Sequence, residues 1–149
     1  MNKFTVTILA VTFLFISTVA LAAPAREATL ANVIGEVMVR ADGTSAWKPA
    51  EPGAKININD EIKTSAGGSI DVLLDNGDTA NVNVKEKSQF KIKAMDLNPA
   101  TGEKSTYLDL ALGKVLIHAQ KLEGNSKFEV ITPTSTTGVR GTVFEVSVD

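Results

Sequence analysis

Cysteine is absent from the 149 residues, which excludes a disulfide framework, a thiolate metal site, a cysteine nucleophile and a lipid anchor on cysteine. Aromatic side chains make up only 5% of the chain, leaving few flat platforms for bases or sugars. Neither sign of charge dominates: 15 Lys and Arg face 17 Asp and Glu, a formal net charge of -2, so no overall field gathers nucleic acid. The single histidine, His118, has no advertised partners and reads as a surface or rim imidazole rather than a metal ligand or triad member. Carboxylates are scattered over turns rather than paired for acid and base work. No catalytic residue, metal or cofactor is therefore expected.

One long apolar run is present, and it stands at the start. Met1, Asn2 and Lys3 precede an almost unbroken apolar stretch from Phe4 to Leu21, and Ala20-Leu21-Ala22 supplies small residues in an A-x-A arrangement. This is the layout of a secretory signal peptide. The expected division is residues 1–22 as leader cleaved near Ala22, 23–30 as a lead-in and 31–149 as one β domain. The mature protein is then periplasmic or secreted, with no further membrane span.

Helical periodicity is missing after the leader, and β-branched residues dominate. Short alternating runs separated by turn residues recur at a spacing of roughly ten, the signal for an all-β roll, sandwich or solenoid-like coil. Ala31 to Arg40 alternates, Asp42-Gly43 turns, and Trp47 reads as a lid on one end of the core. Ile56, Ile58 and Ile62 share a parity on which Asp60 also falls, unless Asn59-Asp60 turns the chain there. Gly67-Gly68 lacks the lysine and helix signal of a phosphate loop and reads as a turn. Ile70, Val72 and Leu74 lead to Asn76-Gly77, a type I′ signal, and Ala80, Val82 and Val84 return, which predicts a β-hairpin. A second hairpin is expected from Tyr107 to Leu112, turning at Gly113-Lys114 and returning through Val115 to Ala119. Pro133 removes a ladder donor and places its segment at a strand end or sheet edge. The hydroxyl-rich Ser135 to Thr137 reads as a connecting loop.

The last run, Thr137 to Asp149, carries a conflict. Counting alternate positions back from Val148 through Val146, Phe144 and Thr142 reaches Arg140, so an unbroken strand aims a guanidinium at the core. Either Gly141 marks a bulge that turns Arg140 outward, or Arg140 points inward and meets a carboxylate, Asp60 or Asp75.

In order along the chain, Gly35-Glu36-Val37, Trp47, Gly53, Asn59-Asp60-Glu61-Ile62-Lys63-Thr64, Asp75-Asn76-Gly77, Leu112-Gly113-Lys114-Val115, Phe128-Glu129-Val130-Ile131-Thr132-Pro133 and Val139-Arg140-Gly141-Thr142-Val143-Phe144 resemble the periplasmic FecR domain. The resemblance spans about Val33 to Val148, and the closing Thr-Pro with Val-Arg-Gly-Thr-x-Phe is its most specific part. It implies an all-β fold without catalytic activity that takes part in envelope signalling through a protein partner. Members that regulate sigma factors carry a cytoplasmic helical segment before a membrane span. Only three residues precede the apolar run here, so a direct anti-sigma role is not expected. Relatives also continue past the motif with further strands, so Val143 to Val148 is expected to be a sheet edge open to pairing with a partner. Arg140, Gly141, Thr142, Phe144, Asp60 and Trp47 are the candidate residues for structural or partner contact. A cell-surface glycan-binding module is the alternative, with low aromatic content against it.

Overall fold

The structure, a computed structural model, describes residues 25–149; the expected leader and its cleavage site lie outside the described residues. Twelve strands follow: β1 Ala28–Ile34, β2 Val37–Arg40, β3 Lys48–Pro49, β4 Lys55–Ile56, β5 Glu61–Thr64, β6 Ser69–Leu74, β7 Ala80–Val84, β8 Gln89–Leu97, β9 Lys104–Ala119, β10 Lys127–Ile131, β11 Thr136–Gly138 and β12 Val143–Val148. Among the described residues the only helical pieces are two short 3-10 turns, Ala41–Gly43 and Asp75–Gly77. The fold is all-β.

Neighbouring strands run β3-β2-β5-β8-β9-β7-β6-β1-β4, and β10 and β12 attach to β9 as well. Every pairing is antiparallel except β9 with β10. A β-solenoid would stack parallel coils. This chain instead forms one sheet curled into a half-barrel.

The curl has a crease. β1 passes to β2 at Gly35-Glu36, β5 to β6 at Ser65 to Gly68, and β7 to β8 at Lys85 to Ser88. At each corner the chain leaves one half of the sheet for the other, because β1, β6 and β7 pair together while β2, β5 and β8 pair together. The ladder is interrupted there, and two buried hydroxyls take over its hydrogen bonds. Thr64 Oγ1 donates to Lys85 O at 2.6 Å and accepts from Ser88 N at 2.9 Å. Ser88 Oγ accepts from Lys114 N at 2.9 Å. A buried backbone group left without such a partner would cost about 1–3 kcal/mol.

β9 crosses the same crease without reversing. Its first half pairs with β8 from Lys104 to Leu112 and its second half with β7 from Val115 to Ala119. The hairpin expected at Gly113-Lys114 is therefore a bend within one 16-residue strand. Leu108 and Leu110 are buried on one parity and Val115 and Ile117 on the other. That shift in parity resembles a chain reversal in the sequence, but here it marks one strand changing faces as it bends.

The predicted hairpin of β6 and β7 is present, with Ile70 opposite Val84 and Leu74 opposite Ala80. Its connection differs from a two-residue turn. Asp75, Asn76 and Gly77 all have positive φ, at 53°, 56° and 92°, and the link runs to Thr79.

Leu30, Ile62, Ile70, Leu74, Phe90, Ile92, Leu108, Leu110, Ile117 and Phe128 fill the inside of the curl with almost no exposure. Each such side chain contributes about 1.5–3 kcal/mol by leaving water. The sheet already begins at Ala28, inside the stretch read as a lead-in, because Ala28 and Leu30 are core residues.

Candidate functional site

The terminal motif is a step between strands. Val139 N donates to Phe128 O at 2.9 Å, holding the chain beside β10, and Ala119 N donates to Thr142 O at 3.1 Å, opening the ladder of β12 with β9. Arg140 and Gly141 form the bend between these anchors. Gly141 has φ +62°, and a Cβ built on it would lie 2.8 Å from Lys121 Cα. Both the conformation and the close approach require glycine. The bend turns Arg140 outward: it is exposed, and among the described residues it forms no ion pair. The pairing of Arg140 with Asp60 or Asp75 does not occur, because the chain leaves the strand parity at Gly141. Gly141→Ala is expected to lower stability by about 2 kcal/mol, whereas Arg140→Met should stay within about 0.5 kcal/mol. Thermal unfolding of the two variants checks this contrast.

Asp75 is taken by another arginine. The Arg26 side chain is only 3% exposed, and its Nη2 donates to Asp75 Oδ2 at 2.9 Å and to Thr106 Oγ1 at 2.9 Å. Nε donates to the same carboxylate at 3.1 Å, and Nη1 donates to Ser105 O at 3.0 Å and Asp96 O at 3.2 Å. Thr79 Oγ1 also donates to Asp75, and Lys104 Nζ lies 3.3 Å from it. Burial raises the Asp75 pKa, but the Arg26 hydrogen bond, the Thr79 hydrogen bond and the two cations outweigh it and hold the carboxyl below its usual value. Sequence reasoning missed this site because Arg26 precedes the first alternating run, and nothing local marks it.

Asp60 is buried at 7% exposure and also sits at a turn, since Asn59 has φ 70°. Its Oδ2 accepts Asn57 N at 2.8 Å, and its Oδ1 faces Asp42 N at 3.4 Å. The carboxylate thus closes its own turn. It stands in the wall of a cavity of about 510 Å³ between β2, β3 and β4, lined among others by Leu30, Val39, Ala50 and Ile56. Trp47 is half-buried, with the Arg40 guanidinium 4.5 Å from its ring centroid; Arg40 in turn pairs with Glu61 at 2.7 Å. One face of the only tryptophan is thereby covered by a cation rather than presented to a sugar. His118 is exposed on the outer side of the sheet, opposite Asn81 and Val143. Among the described residues no three His, Cys, Asp or Glu side chains are grouped to hold a metal.

The candidate residues therefore divide into two places. Trp47 and Asp60 flank β3 to β5, while Arg140 to Phe144 lie against the end of β9. The sequence profile of a family described as FecR protein matches residues 60–149, which takes in Asp60, the crease residue Gly113 and the whole terminal motif. The chain belongs to the FecR family. Gly35-Glu36-Val37, Trp47 and Gly53 lie before the matched span. No curated protein matches the chain, and no solved structure does. FecR proteins form an envelope-signalling family that is generally regulatory rather than enzymatic. Among the described residues no helix is long and apolar enough to cross a membrane.

The edges of this FecR domain are unequal. β3 is the two residues Lys48–Pro49, β4 the two residues Lys55–Ile56 and β11 the three residues Thr136–Gly138. Shortness, lysine and proline are the usual devices that blunt an edge. β12 has none of them: its six residues read VFEVSV. It pairs with β9 along its length on one side, and among the described residues nothing pairs with the other. Hydrogen-bonded pairs alternate along an antiparallel ladder, and Thr142 with Ala119 is one of them. Phe144, Val146 and Val148 therefore turn their backbone groups toward β9, while Val143, Glu145 and Ser147 offer theirs outward.

Proposed function

We propose that this FecR domain is an exported, non-catalytic module of envelope signalling or assembly that binds a protein partner by adding the partner's strand to β12. The carrying observation is that edge. Among the described residues it is the longest strand with one side unpaired, it is rich in β-branched residues, and it lacks lysine, proline and bulges; its one charged residue, Glu145, is paired with Lys114 of β9 at 3.3 Å. Phe144, Val146 and Val148 are only half-buried on the core side, so alternating apolar residues of an incoming strand would complete their cover. Arg140, Gly141 and Thr142 position the start of this edge, and the exposed Arg140 stands beside it as a contact for an acidic group of the partner.

The alternation of outward amides makes the reading testable by hydrogen exchange on dilute protein. Addition of envelope extract from the source cell should slow exchange at Val143, Glu145 and Ser147 by ten-fold or more, an effect on the order of that for an amide entering a stable ladder. Phe144, Val146 and Val148, already bonded to β9, should change little. Equal exchange at all six positions with and without extract would refute the edge as the docking site.

A further inference from the structure

The cavity beside Asp60 has a chemical character of its own. β3 and β4 stand at opposite ends of the strand path, and the link from Ala50 to Ala54 brings them back together across the seam of the curl. Ala50 N donates to Val37 O at 2.9 Å, Gly53 N to Leu30 O at 2.7 Å and Leu30 N to Ala54 O at 2.9 Å, so the backbone of the link is fastened to β1 and β2. Its side chains do not fill the seam. Both ends of the link are alanine, and the cavity of about 510 Å³ remains beside them, within the size range of sites for small organic ligands. Leu30, Val39, Ala50, Ala54 and Ile56 give it an apolar lining.

The charges in that lining are unevenly matched. Of its three cations, Arg40 is paired with Glu61 and Lys55 with Glu27, while Lys48 is exposed to solvent. Glu51 is exposed as well. Asp60 is buried, and among the described residues it makes no ion pair. Asn57 N and Nδ2 donate to its Oδ2 at 2.8 and 3.3 Å, but Oδ1 has only the long contact of 3.4 Å with Asp42 N. A carboxylate offers about four acceptor positions, and a buried charge is ordinarily paired. Amides that close a turn stabilise the carboxylate without neutralising it, which leaves a negative charge and spare acceptor capacity in the wall of an apolar cavity.

We infer that this cavity binds a small amphipathic amine, its ammonium group donating to Asp60 and its hydrocarbon body lying against the apolar lining. An ammonium supplies both of the things Asp60 lacks, a counter-charge and a donor. An acid of the same shape would set its carboxylate against Asp60, or hold it at the mouth beside Lys48, where solvent weakens the pair. β12 takes no part in the site, so the inference stands or falls apart from the reading of that edge.

Calorimetric titration of the purified protein with n-octylammonium, n-octanoate and n-butylammonium, each below its micelle concentration, separates the head group from the tail. Octylammonium should bind saturably, and at least ten-fold more tightly than either of the others. Asp60→Asn keeps an acceptor oxygen for Asn57 N, and with it the turn. It should weaken octylammonium binding about ten-fold or more and erase the preference over octanoate. Ala54→Phe fills the cavity without altering the carboxylate and should abolish octylammonium binding, with thermal unfolding showing that both variants are folded. Absence of saturable octylammonium binding at millimolar concentration overturns the inference. So does equal affinity for octanoate, or binding that survives either substitution. If Asp60→Asn does not fold, the comparison of the two head groups on the wild-type protein and the loss of binding in Ala54→Phe decide the matter.

Discussion

Arg26→Met should lower the stability of the FecR domain by about 3 kcal/mol, since breaking a buried ion pair from one side strands its partner. The Arg26 side chain is 3% exposed and that of Asp75 14%, so water cannot replace the lost donors freely. The guanidinium also serves Ser105 O, Asp96 O and Thr106 Oγ1, which ties the start of β1 to β8 and β9 at the end of the curl. Lys104, 3.3 Å from Asp75, retains part of the charge balance, which is why the upper end of the usual range is not expected. For a domain of this size the melting temperature should fall by roughly 10 °C. Urea titration followed by Trp47 fluorescence reads the free energy, and a midpoint indistinguishable from wild type would show that Arg26 is not part of the folded core. Arg26→Met combined with Asp75→Leu should recover some of the loss, because no uncompensated charge is then buried.

The same cluster governs the acid limb of stability. The Asp75 pKa is lowered from 3.8 in the folded state, so the unfolded chain binds its proton first as the pH falls. Its contribution is complete above about pH 5 and is lost as the pH drops through 3.8 toward the lowered value. Asp75→Asn should therefore flatten the pH dependence of the unfolding midpoint below about pH 5, while leaving the dependence above it unchanged.

Elements whose partners lie close in sequence are legible from it; those decided by distant partners are not. The β6 and β7 hairpin follows from alternation around Asn76-Gly77, because strands joined by so short a link pair with each other before anything else. The form of its turn does not follow, since Asp75 adopts positive φ while engaged by Arg26, 49 residues away. Arg26 itself has partners 49 to 80 residues distant and no periodic neighbours, so no local signal marks it as buried. The Arg140 conflict is visible as a parity violation and points to the correct glycine. Polar positions on inward rows suggest counter-ions for Arg140, yet Asp60 closes its own turn with Asn57 and Asp75 belongs to Arg26. That Val143 to Val148 form a strand is legible in their alternation, but which of its amides face away from β9 depends on the register with β9, and that is a tertiary fact.

Gly113→Ala should be the most damaging single methyl group in the chain, because what distinguishes a bend from a hairpin turn is the strand packed against it. A Cβ at Gly113 would lie 2.2 Å from Ser88 Oγ, 2.5 Å from Ser88 Cα and 2.7 Å from Lys87 O, at a φ of +91°. The hydroxyl could rotate away, but the Cα and the carbonyl belong to the β7 to β8 corner, whose position the hydrogen bonds of Ser88 to Lys114 already set. Relief requires β9 to move off the crease, and β9 pairs with β7, β8, β10 and β12. Backbone strain and overpacking together imply a loss of about 4 kcal/mol or more, enough to leave a marginal domain largely unfolded. Two further variants separate the causes. Ser88→Ala should fail to rescue Gly113→Ala, since the new methyl group still collides with the backbone of Ser88. Gly113→Asn, tolerated where a left-handed hairpin turn is all that is required, should be as harmful as alanine at this bend. Circular dichroism and proteolysis of the three variants read the outcome, and a folded Gly113→Asn protein would return this position to the hairpin that its sequence suggests.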